Sequence, residues 1–322
     1  MNTTNPFKYP YDLYQRYRLT AQVIEQLDGV FGKAAPILEV GGDAGVLQSF
    51  LPQESLTIVN FQPAVGSGII PADGCHLPFK DKSYRGVVAL DVLEHIPHDK
   101  RHIFLHEIDR VTTNWLVIGG PFEDKLVQEA ESILLDYYKH LTGTSHFYLE
   151  EHKQQGLPNR QTILNYLHSL GGHTVVIPNG LIWRWMLVMG ITMFLQKEPH
   201  DSELIGKVHD FLNRNLAPCD NLEPAYRHII LCSRIPLPDE IRKRIEQLKT
   251  PANAEEKDTT KNWEGAAAAL QTLMADKIRQ RDERIGQLEG QIQILQEFQD
   301  QVQATLPYRI YRQWKRLWIN KK

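Results

Sequence analysis

The sequence predicts an α/β fold, in which a doubly wound, mostly parallel sheet is followed by a C-terminal helical coiled-coil extension. Three observations predict this fold class. Short apolar runs suited to buried strands alternate with stretches of helical periodicity. A glycine-rich turn joins the first of these runs to a helix. Near the C-terminus, apolar residues recur every seven positions, which is typical of a coiled coil.

Length and composition predict one large domain with an appendage. The chain has 322 residues, of which 42% are hydrophobic, enough for a full-sized core. The net charge of −3 gives no signature of nucleic-acid binding, although residues 306–322 hold six of the 36 Lys and Arg residues and no acid. Three widely spaced cysteines and an N-terminus without a secretory signal pattern predict a reducing, cytoplasmic location.

The stretch ILEVGGDAG, residues 37–45, reads as a buried strand that runs into a glycine-rich turn and a helix. A dinucleotide-binding turn has the pattern G-x-G-x-x-G and presents bare amides to a pyrophosphate. Here Asp43 occupies the middle glycine position, where its carboxylate would repel a phosphate. Together with Glu39 it would favour a cationic ligand, such as the sulfonium and ammonium groups of S-adenosylmethionine. An ordinary tight turn between a strand and a helix is the alternative.

Polar residues stand at or near the ends of further predicted strands. Residues 56–59 read as a strand, after which Asn60 is placed to bind a ribose through its side-chain amide. Asp73 lies in a turn, where it could accept a hydrogen bond from an exocyclic amine. Residues 84–90 read as another strand, which ends at Asp91. Because ligands of parallel sheets bind at the carboxyl ends of the strands, we expect these side chains to line one edge with the glycine turn.

Two segments carry a family resemblance. LEVGGDAG (residues 38–45) and ADGCHLPFKDKSYRGVVALDVLEHIP (residues 72–97) resemble the class I S-adenosylmethionine-dependent methyltransferases, in particular the type 11 group, over residues 30–122. The resemblance implies a Rossmann-like sheet of seven strands, the last two forming an antiparallel pair, and S-adenosylmethionine as the cofactor. It places the methionine part near Glu39, Gly41 and Gly45, the ribose at Asn60, the adenine at Asp73 and Gly74, and the reactive sulfur near Asp91. Gly42 and Asp43 complete the predicted cofactor-binding set.

Three positions depart from the family pattern. Asp43 stands where a glycine is usual, and Asn60 replaces an acid. Arg85 and Gly86 stand where an aspartate commonly follows the aromatic residue. These departures leave a non-catalytic relative as an alternative, in which the degenerate pocket is vestigial and the coiled coil acts as a scaffold. An NAD-dependent oxidoreductase is a further alternative, which Asp43 disfavours.

Histidines suggest where the chemistry would take place. The first group recurs at helical spacing: His95, His98, His102 and His106. This spacing suits a metal site or the polar face of a helix; no cysteine or carboxylate completes an obvious ligand set, so we predict a polar face and no metal. The second group lies in a predicted loop over the strand ends: His146, Glu150, Glu151 and His152. His95 and His146 are the candidates for a base that accepts the proton of a hydroxyl acceptor.

The predicted domain organisation has four parts. They are a methyltransferase domain (1–235) with inserted helices at about 123–170 and 181–215, a polar linker (236–262), a coiled coil (263–306) and a basic aromatic tail (307–322). Within the second insertion, the apolar run 181–196 is too short to span a membrane. We expect it to cover the acceptor pocket or pack on a partner, with shallow membrane contact as the alternative.

The C-terminal segment carries the partner predictions. Ile278, Ile285 and Ile292 lie seven residues apart, as do Leu288 and Leu295, which predicts a parallel coiled coil and a homo-oligomer. A helix folded back onto the body is the alternative. The tail interleaves tyrosines and tryptophans with six cations, which favours an anionic membrane surface over a frayed terminus, whereas the acidic body disfavours nucleic acid.

Together these patterns predict a methyltransferase that transfers a methyl group from S-adenosylmethionine to a hydroxyl of a small or glycan-type acceptor, with an amine as the less favoured alternative. We expect it in the cytoplasm, with the tail placed to reach the inner face of a membrane. The acceptor is the least constrained part of this prediction, because no residue pattern in the chain identifies it.

Overall fold

The computed structural model describes residues 5–63, 66–197, 202–249, 279, 282–297 and 300. The chain divides into two compact units, residues 1–270 and 271–322. The strands of the first unit are β1 (Ile37–Val40), β2 (Leu56–Asn60), β3 (Ile70–Pro71), β4 (Tyr84–Leu90), β5 (Thr112–Pro121), β6 (His173–Leu181) and β7 (Ala225–Ser233). Its helices are α1 (Tyr11–Phe31), α2 (Val46–Phe50), α3 (Arg101–Val111), α4 (Lys125–Thr142), α5 (Phe147–Gln155), α6 (Arg160–Ser169), α7 (Ile182–Lys197), α8 (Ser202–Asn215) and α9 (Asp239–Glu246). Short 3-10 turns lie at Pro6–Lys8, Leu93–His95, His98–Lys100 and Ala217–Cys219.

The seven strands form one sheet in the order β3-β2-β1-β4-β5-β7-β6. Neighbours from β3 to β5 are parallel, and β7 runs antiparallel to both β5 and β6. This order confirms the predicted seven-stranded, mostly parallel sheet with an antiparallel pair at one edge. Strand β3 was not predicted, because two residues are too few to show a periodic pattern.

Side chains of β4 alternate between two cores, as expected for a strand covered on both faces. Val87 and Ala89 belong to one core, to which α3 contributes Phe104. Val88 and Leu90 belong to the other core, which contains the buried face of α1 and part of α9. The sheet is therefore doubly wound, with α3 and α6 covering one face and α1 and α9 covering the other.

The residues that break the family pattern at the start of β4 have a role in packing. Arg85 is buried and donates hydrogen bonds to Asp28 Oδ1 (2.7 Å) and to Glu54. Its guanidinium carbon lies 5.9 Å from the ring centroid of Trp115. The same ring explains Gly86, since a Cβ at that position would lie 2.2 Å from Trp115 Cε2. This departure therefore serves the core and lies away from the carboxyl ends of the strands.

The prediction of a linker at 236–262 is wrong for the first part of this range. Helix α9 occupies Asp239–Glu246 and buries Ile245 in the core that it shares with α1. Ile241 of the same helix and its flanking residues Leu237 and Leu248 pack against this core, so the helix turns its apolar side to the sheet. The remainder of the predicted linker, from residue 250, lies outside the described residues.

In the second unit, residues 282–297 are helical. The predicted seam residues in this helix are all exposed: Ile285, Leu288, Ile292 and Leu295. An apolar stripe of this kind is the pattern of a coiled coil, whose formation stays a prediction. Ile278 and the basic aromatic tail lie outside the described residues. Across the part of the chain that the structure describes, we find no helix long and apolar enough to cross a membrane.

Candidate active site

The predicted ligand residues surround a cavity of about 1000 Å³ at the carboxyl ends of β1, β2 and β4. Eight of them line it: Gly41, Asp43, Asn60, Asp73, Gly74, Asp91, His95 and His146. Among the described residues, Glu39, Gly42 and Gly45 are not part of this lining. The expectation that the glycine turn and the strand-end side chains share one edge of the sheet is thus confirmed. A cavity of this size has room for a cofactor and a small acceptor together.

The glycine turn passes so close to its neighbours that side chains would not fit. Gly41 has a φ of +80°, and a Cβ there would lie 2.4 Å from Val92 Cγ2. A Cβ on Gly42 would lie 2.2 Å from Glu39 Cδ. Gly45, with a φ of +78°, precedes the first residue of α2. The turn therefore requires glycine, as the sequence predicts for a strand-to-helix corner that approaches a ligand.

Glu39 lies buried at the end of β1, with 1% of its surface exposed. Its Oε1 atom accepts a hydrogen bond from the Tyr17 hydroxyl (2.6 Å), while Oε2 has no hydrogen-bond partner among the residues described. Burial raises the pKa of Glu39 to about 7, despite the opposing effect of the Tyr17 hydrogen bond, and the Asp43 charge raises it further. A cation bound nearby would favour the ionised form of this carboxyl.

Asn60 braces the glycine turn in addition to lining the cavity. Its side-chain nitrogen donates to the Gly42 carbonyl (3.2 Å), and its oxygen accepts from the Gln62 amide (3.4 Å). Since the nitrogen is already engaged, the oxygen is the atom of Asn60 with remaining capacity for a ribose hydroxyl.

Asp73 presents an ionised carboxylate to the cavity. Its Oδ1 accepts from the Cys75 amide (2.8 Å), and this hydrogen bond is the main cause that lowers the pKa of Asp73. The adjacent Gly74 is needed for packing, because a Cβ there would lie 2.8 Å from the ring of Phe104. The Asp73 side chain is about half exposed and remains able to accept a hydrogen bond from a ligand amine.

Asp91 is the centre of a network of charges. It ends β4 with a φ of +51°, and its carboxylate pairs with Arg16 (2.5 Å) and Arg227 (2.6 Å). Burial would raise the pKa of Asp91, but the two guanidinium groups outweigh burial and hold it at about 2. Asp12 pairs with the same arginines at 2.9 and 3.0 Å, and it accepts from Trp185 Nε1 (2.8 Å). The Asp91 charge is therefore balanced within the protein.

Helix α1 brings a cation to the cavity that the sequence did not single out. Arg16 lines the cavity through its contact with Asp91. Helical periodicity places Arg16 on a half-buried face within reach of Asp12, but its second partner, Asp91, lies 75 residues away in the chain and cannot be read from local spacing.

Glu94 is a buried acid of the site that sequence reasoning missed, although it stands within the quoted family segment. It lies in the 3-10 turn after β4 with 1% of its surface exposed, and it lines the cavity. Neither of its carboxylate oxygens has a hydrogen-bond partner in the described parts of the chain. Burial, and then the charge of Asp91, raise the pKa of Glu94 well above its usual range. Gly120 makes room for it, since a Cβ there would lie 3.0 Å from Glu94 Oε2.

Two histidines meet beside Glu94, and each is held by a carboxylate. The rings of His95 and His152 lie with their centroids 4.9 Å apart. His95 Nδ1 is 2.7 Å from Glu151 Oε2, and His152 Nδ1 is 2.8 Å from Glu131 Oε1. Glu131 also accepts from the Tyr226 hydroxyl (2.9 Å). Burial, and then the neighbouring His152, lower the pKa of His95.

The predicted loop around His146 is wrong, because Phe147–Gln155 form helix α5. His146 caps this helix by accepting from the Leu149 amide (3.4 Å), and it packs edge-to-face on Tyr138 with ring centroids 4.9 Å apart. Burial lowers the pKa of His146. The helix was missed because its sequence, FYLEEHKQQ, is polar on most faces and gives little amphipathic signal.

The histidine repeat on α3 has the predicted structural role. His102 and His106 are exposed, while Phe104, Leu105 and Ile108 are buried in the core. The polar-face interpretation is therefore confirmed for these two histidines. His95 lies before the helix and belongs to the cavity instead.

The remaining wall of the cavity is apolar and aromatic. Helix α7 contributes Trp185, Met189 and Met193, so the apolar run predicted to cover a pocket does line one. Phe61 and Tyr148 also line the cavity and are 70% and 58% exposed. Exposed aromatic rings beside a polar site are suited to stacking on a flat or ring-shaped ligand.

Comparison with known proteins places the central part of the sheet in a family. Residues 50–114 match the family model described as a methyltransferase domain, Methyltransf_11. No curated protein sequence matches the chain.

Solved methyltransferase structures resemble part of the chain at low sequence identity and low TM-score. A SAM-dependent methyltransferase from Thermotoga maritima is 13% identical, with a TM-score of 0.40, over 69% of this chain and 91% of that one. One from Archaeoglobus fulgidus is 15% identical, with a TM-score of 0.40, over 67% and 94%. The magnesium protoporphyrin IX methyltransferase of Synechocystis, solved with bound SAH, is 13% identical, with a TM-score of 0.40, over 70% and 84%.

The family match begins after the glycine turn, so the turn is an independent observation. The strand order, the glycine corner and the acids at the strand ends agree with what the sequence resemblance implied. The resemblance seen in the sequence is therefore confirmed: the chain carries a methyltransferase domain of the class I type, whose cofactor is S-adenosylmethionine.

Proposed function

We propose that this protein transfers the methyl group of S-adenosylmethionine to a hydroxyl of a small or glycan-type acceptor bound in the cavity. The observation that carries the proposal is that one cavity is lined both by the acids that we predict to bind the cofactor and by imidazole side chains. A methyl transfer needs these two sets of groups side by side, because the acceptor oxygen must lie in line with the sulfonium.

The cofactor would lie along the strand ends. Asp73 would accept from the adenine amine, and the oxygen of Asn60 would accept from a ribose hydroxyl. Asp43 at the surface of the turn and Glu39 below it would favour the positive sulfonium and ammonium groups. Asp91, which Arg16 and Arg227 neutralise, would border the reacting sulfur without adding net negative charge.

In the reaction, the acceptor oxygen forms a bond to the methyl carbon as the carbon–sulfur bond breaks. The electron pair of that bond stays on sulfur, which becomes a neutral thioether, and the acceptor loses its hydroxyl proton. We propose that His95 and His146 meet the acceptor at this point, since both line the cavity. An imidazole within hydrogen-bond reach could take the proton.

The cavity wall supports a ring-shaped polar acceptor. Trp185, Met189 and Met193 supply apolar surface, and the exposed rings of Phe61 and Tyr148 could stack on the face of a sugar. The imidazoles and carboxylates would then bind the hydroxyl groups at the edge of that ring. A glycan-type acceptor uses both kinds of surface, which is why we favour it.

Cofactor binding tests the proposal directly. We expect S-adenosylmethionine to bind the full chain in a calorimetric titration, and Asp73→Ala to raise the Kd by about 10-fold, the loss expected for one hydrogen bond to a charged group. Asp81→Ala is the matched control, because the Asp81 side chain is 74% exposed and pairs with Arg110 away from the cavity. Wild type that binds no S-adenosylmethionine would favour the non-catalytic alternative, and tight NADH binding would favour an oxidoreductase.

We also propose that the C-terminal helix makes the protein a homo-oligomer. Ile285 and Ile292 are 44% and 54% exposed in the single chain, and a coiled coil would bury them. The double change Ile285→Asp and Ile292→Asp should convert an oligomer to a monomer in light scattering after gel filtration. The control is Gln287→Asp with Gln293→Asp, which adds the same charge outside the seam. A monomeric wild type at micromolar concentration would contradict the proposal.

A further inference from the structure

Glu94 is a buried acid whose carboxyl group has no hydrogen-bond partner in the described part of the chain. Both oxygens lack a hydrogen-bond partner within the described residues, and the residue is 1% exposed. A buried carboxyl either stays protonated or, when it is ionised, is paired with a cation or bound to a metal. Arg16 and Arg227 do not supply this partner, since their ion pairs are with Asp12 and Asp91.

Two imidazoles stand next to this carboxylate. One ligand atom each from Glu94, His95 and His152 can be chosen so that all three lie within 4.8 Å of one another. Ligand atoms around a tetrahedral ion are roughly 3.4 Å apart, given bonds of about 2.1 Å. Small side-chain rotations would close that difference, so the three groups can converge on a single ion.

In the described part of the chain, no hydrogen bond occupies the outer ring nitrogen, Nε2, of either histidine. Glu131 binds His152 at Nδ1, and Glu151 binds His95 at Nδ1. His152 Nε2 is buried and, within the residues described, has no partner. A histidine that binds a metal through one nitrogen usually gives the other to a carboxylate, which fixes the ring and its tautomer.

We propose that Glu94, His95 and His152 bind a divalent first-row transition metal in the cavity, with Glu131 and Glu151 as positioning residues. Two imidazole nitrogens and one carboxylate suit ions such as Zn²⁺, Co²⁺ or Mn²⁺, whereas Mg²⁺ and Ca²⁺ prefer oxygen ligands alone. No metal was predicted from the sequence, because the prediction rested only on the local spacing of His95, His98, His102 and His106. The partner of His95 is instead 57 residues further along the chain.

A role for the ion rests on the proposed function. Three protein ligands leave at least one coordination position for an acceptor oxygen. Binding to the ion would lower the pKa of that hydroxyl, so its proton would pass to His146 or to solvent before the oxygen takes the methyl group. In this arrangement His95 is a ligand of the ion and not a base, and His146 remains as the candidate base.

Metal titration of the full, untagged chain tests the site without any assay of methyl transfer. After treatment with EDTA and its removal, we expect Co²⁺ to bind one equivalent per chain and to give visible absorption bands, and Zn²⁺ to displace it. Glu94→Gln and His152→Asn should each weaken binding at least 10-fold, and Glu151→Gln by about 10-fold as a loss of ring orientation. The side chain of Asn at position 152 can still donate to Glu131, which limits damage to the fold.

The control is the double change His102→Asn and His106→Asn, which removes two exposed imidazoles on α3 and should leave the bound equivalent unchanged. Thermal melting of each variant without metal checks that it is folded. Wild type that binds no Co²⁺, or Glu94→Gln that binds it as tightly as wild type, would overturn the site. S-adenosylhomocysteine titrated into the same EDTA-treated samples separates the two proposals, because cofactor binding without metal binding refutes only this one.

Discussion

Replacing Asp91 with asparagine should lower the free energy of unfolding by about 3 kcal/mol. The change removes a charge that sits between Arg16 and Arg227, and removal of one partner of a buried ion pair typically costs 3–5 kcal/mol. We expect the lower end because Asp12 still pairs with both arginines. Asparagine keeps the size of the side chain and tolerates the φ of +51°, so the loss reports on charge and not on backbone strain.

Denaturation by urea, followed by circular dichroism, measures this loss. Asp99→Asn is the matched control, since Asp99 is exposed on the next 3-10 turn and its replacement should change the free energy of unfolding by less than about 0.5 kcal/mol. A loss below about 1 kcal/mol for Asp91→Asn would mean that the two arginines find other partners, and that the network does not hold α1 and β7 to the end of β4.

Replacing Glu39 with glutamine should change how stability depends on pH. The pKa of Glu39 is raised to about 7 in the folded protein, from an ordinary value near 4.5. Because a raised carboxyl pKa disfavours the ionised form, wild type loses stability as pH rises from about 4.5 to about 7. Glutamine does not titrate. Between pH 5 and pH 8 the difference in free energy of unfolding should therefore shift by about 2–3 kcal/mol in favour of Glu39→Gln.

The same substitution should weaken the binding of the cofactor. If the ionised Glu39 attracts the cationic groups of S-adenosylmethionine, the Kd of wild type should fall as pH rises through about 7, and that of Glu39→Gln should stay level. At pH 8 we expect the variant to bind about 10-fold more weakly or worse. Glu25→Gln, which changes an exposed carboxyl on α1, is the control. If the Kd depended on pH in the same way for wild type and Glu39→Gln, Glu39 would have no part in cofactor binding.

The two measurements on Glu39 also bear on each other. A buried acid that destabilises the empty protein at neutral pH, and that strengthens binding of a cation, trades stability for function. Were Glu39→Gln to gain stability without losing affinity, the carboxyl would be a structural partner of Tyr17 alone.

Sequence by itself determined the parts of this protein whose signal is local. A buried strand, a glycine turn and a polar residue at a strand end are each encoded within about ten residues, so Ile37–Val40, the turn at Gly41 and the edge at Asp91 could be predicted. The family segments then supplied the order in which these parts assemble. Short or polar elements gave no such signal, and β3, α5 and α9 were therefore missed.

Only the tertiary structure decided what surrounds those local features. His152 reaches His95 because α4 and α5 fold over the strand ends, and Arg227 reaches Asp91 because β7 enters the sheet beside β5. Glu94 is an ordinary residue in the sequence and a buried, unpartnered acid in the described structure. Burial and pairing depend on contacts between residues distant in the chain, and these contacts set both the pKa values and the ligands available at the site.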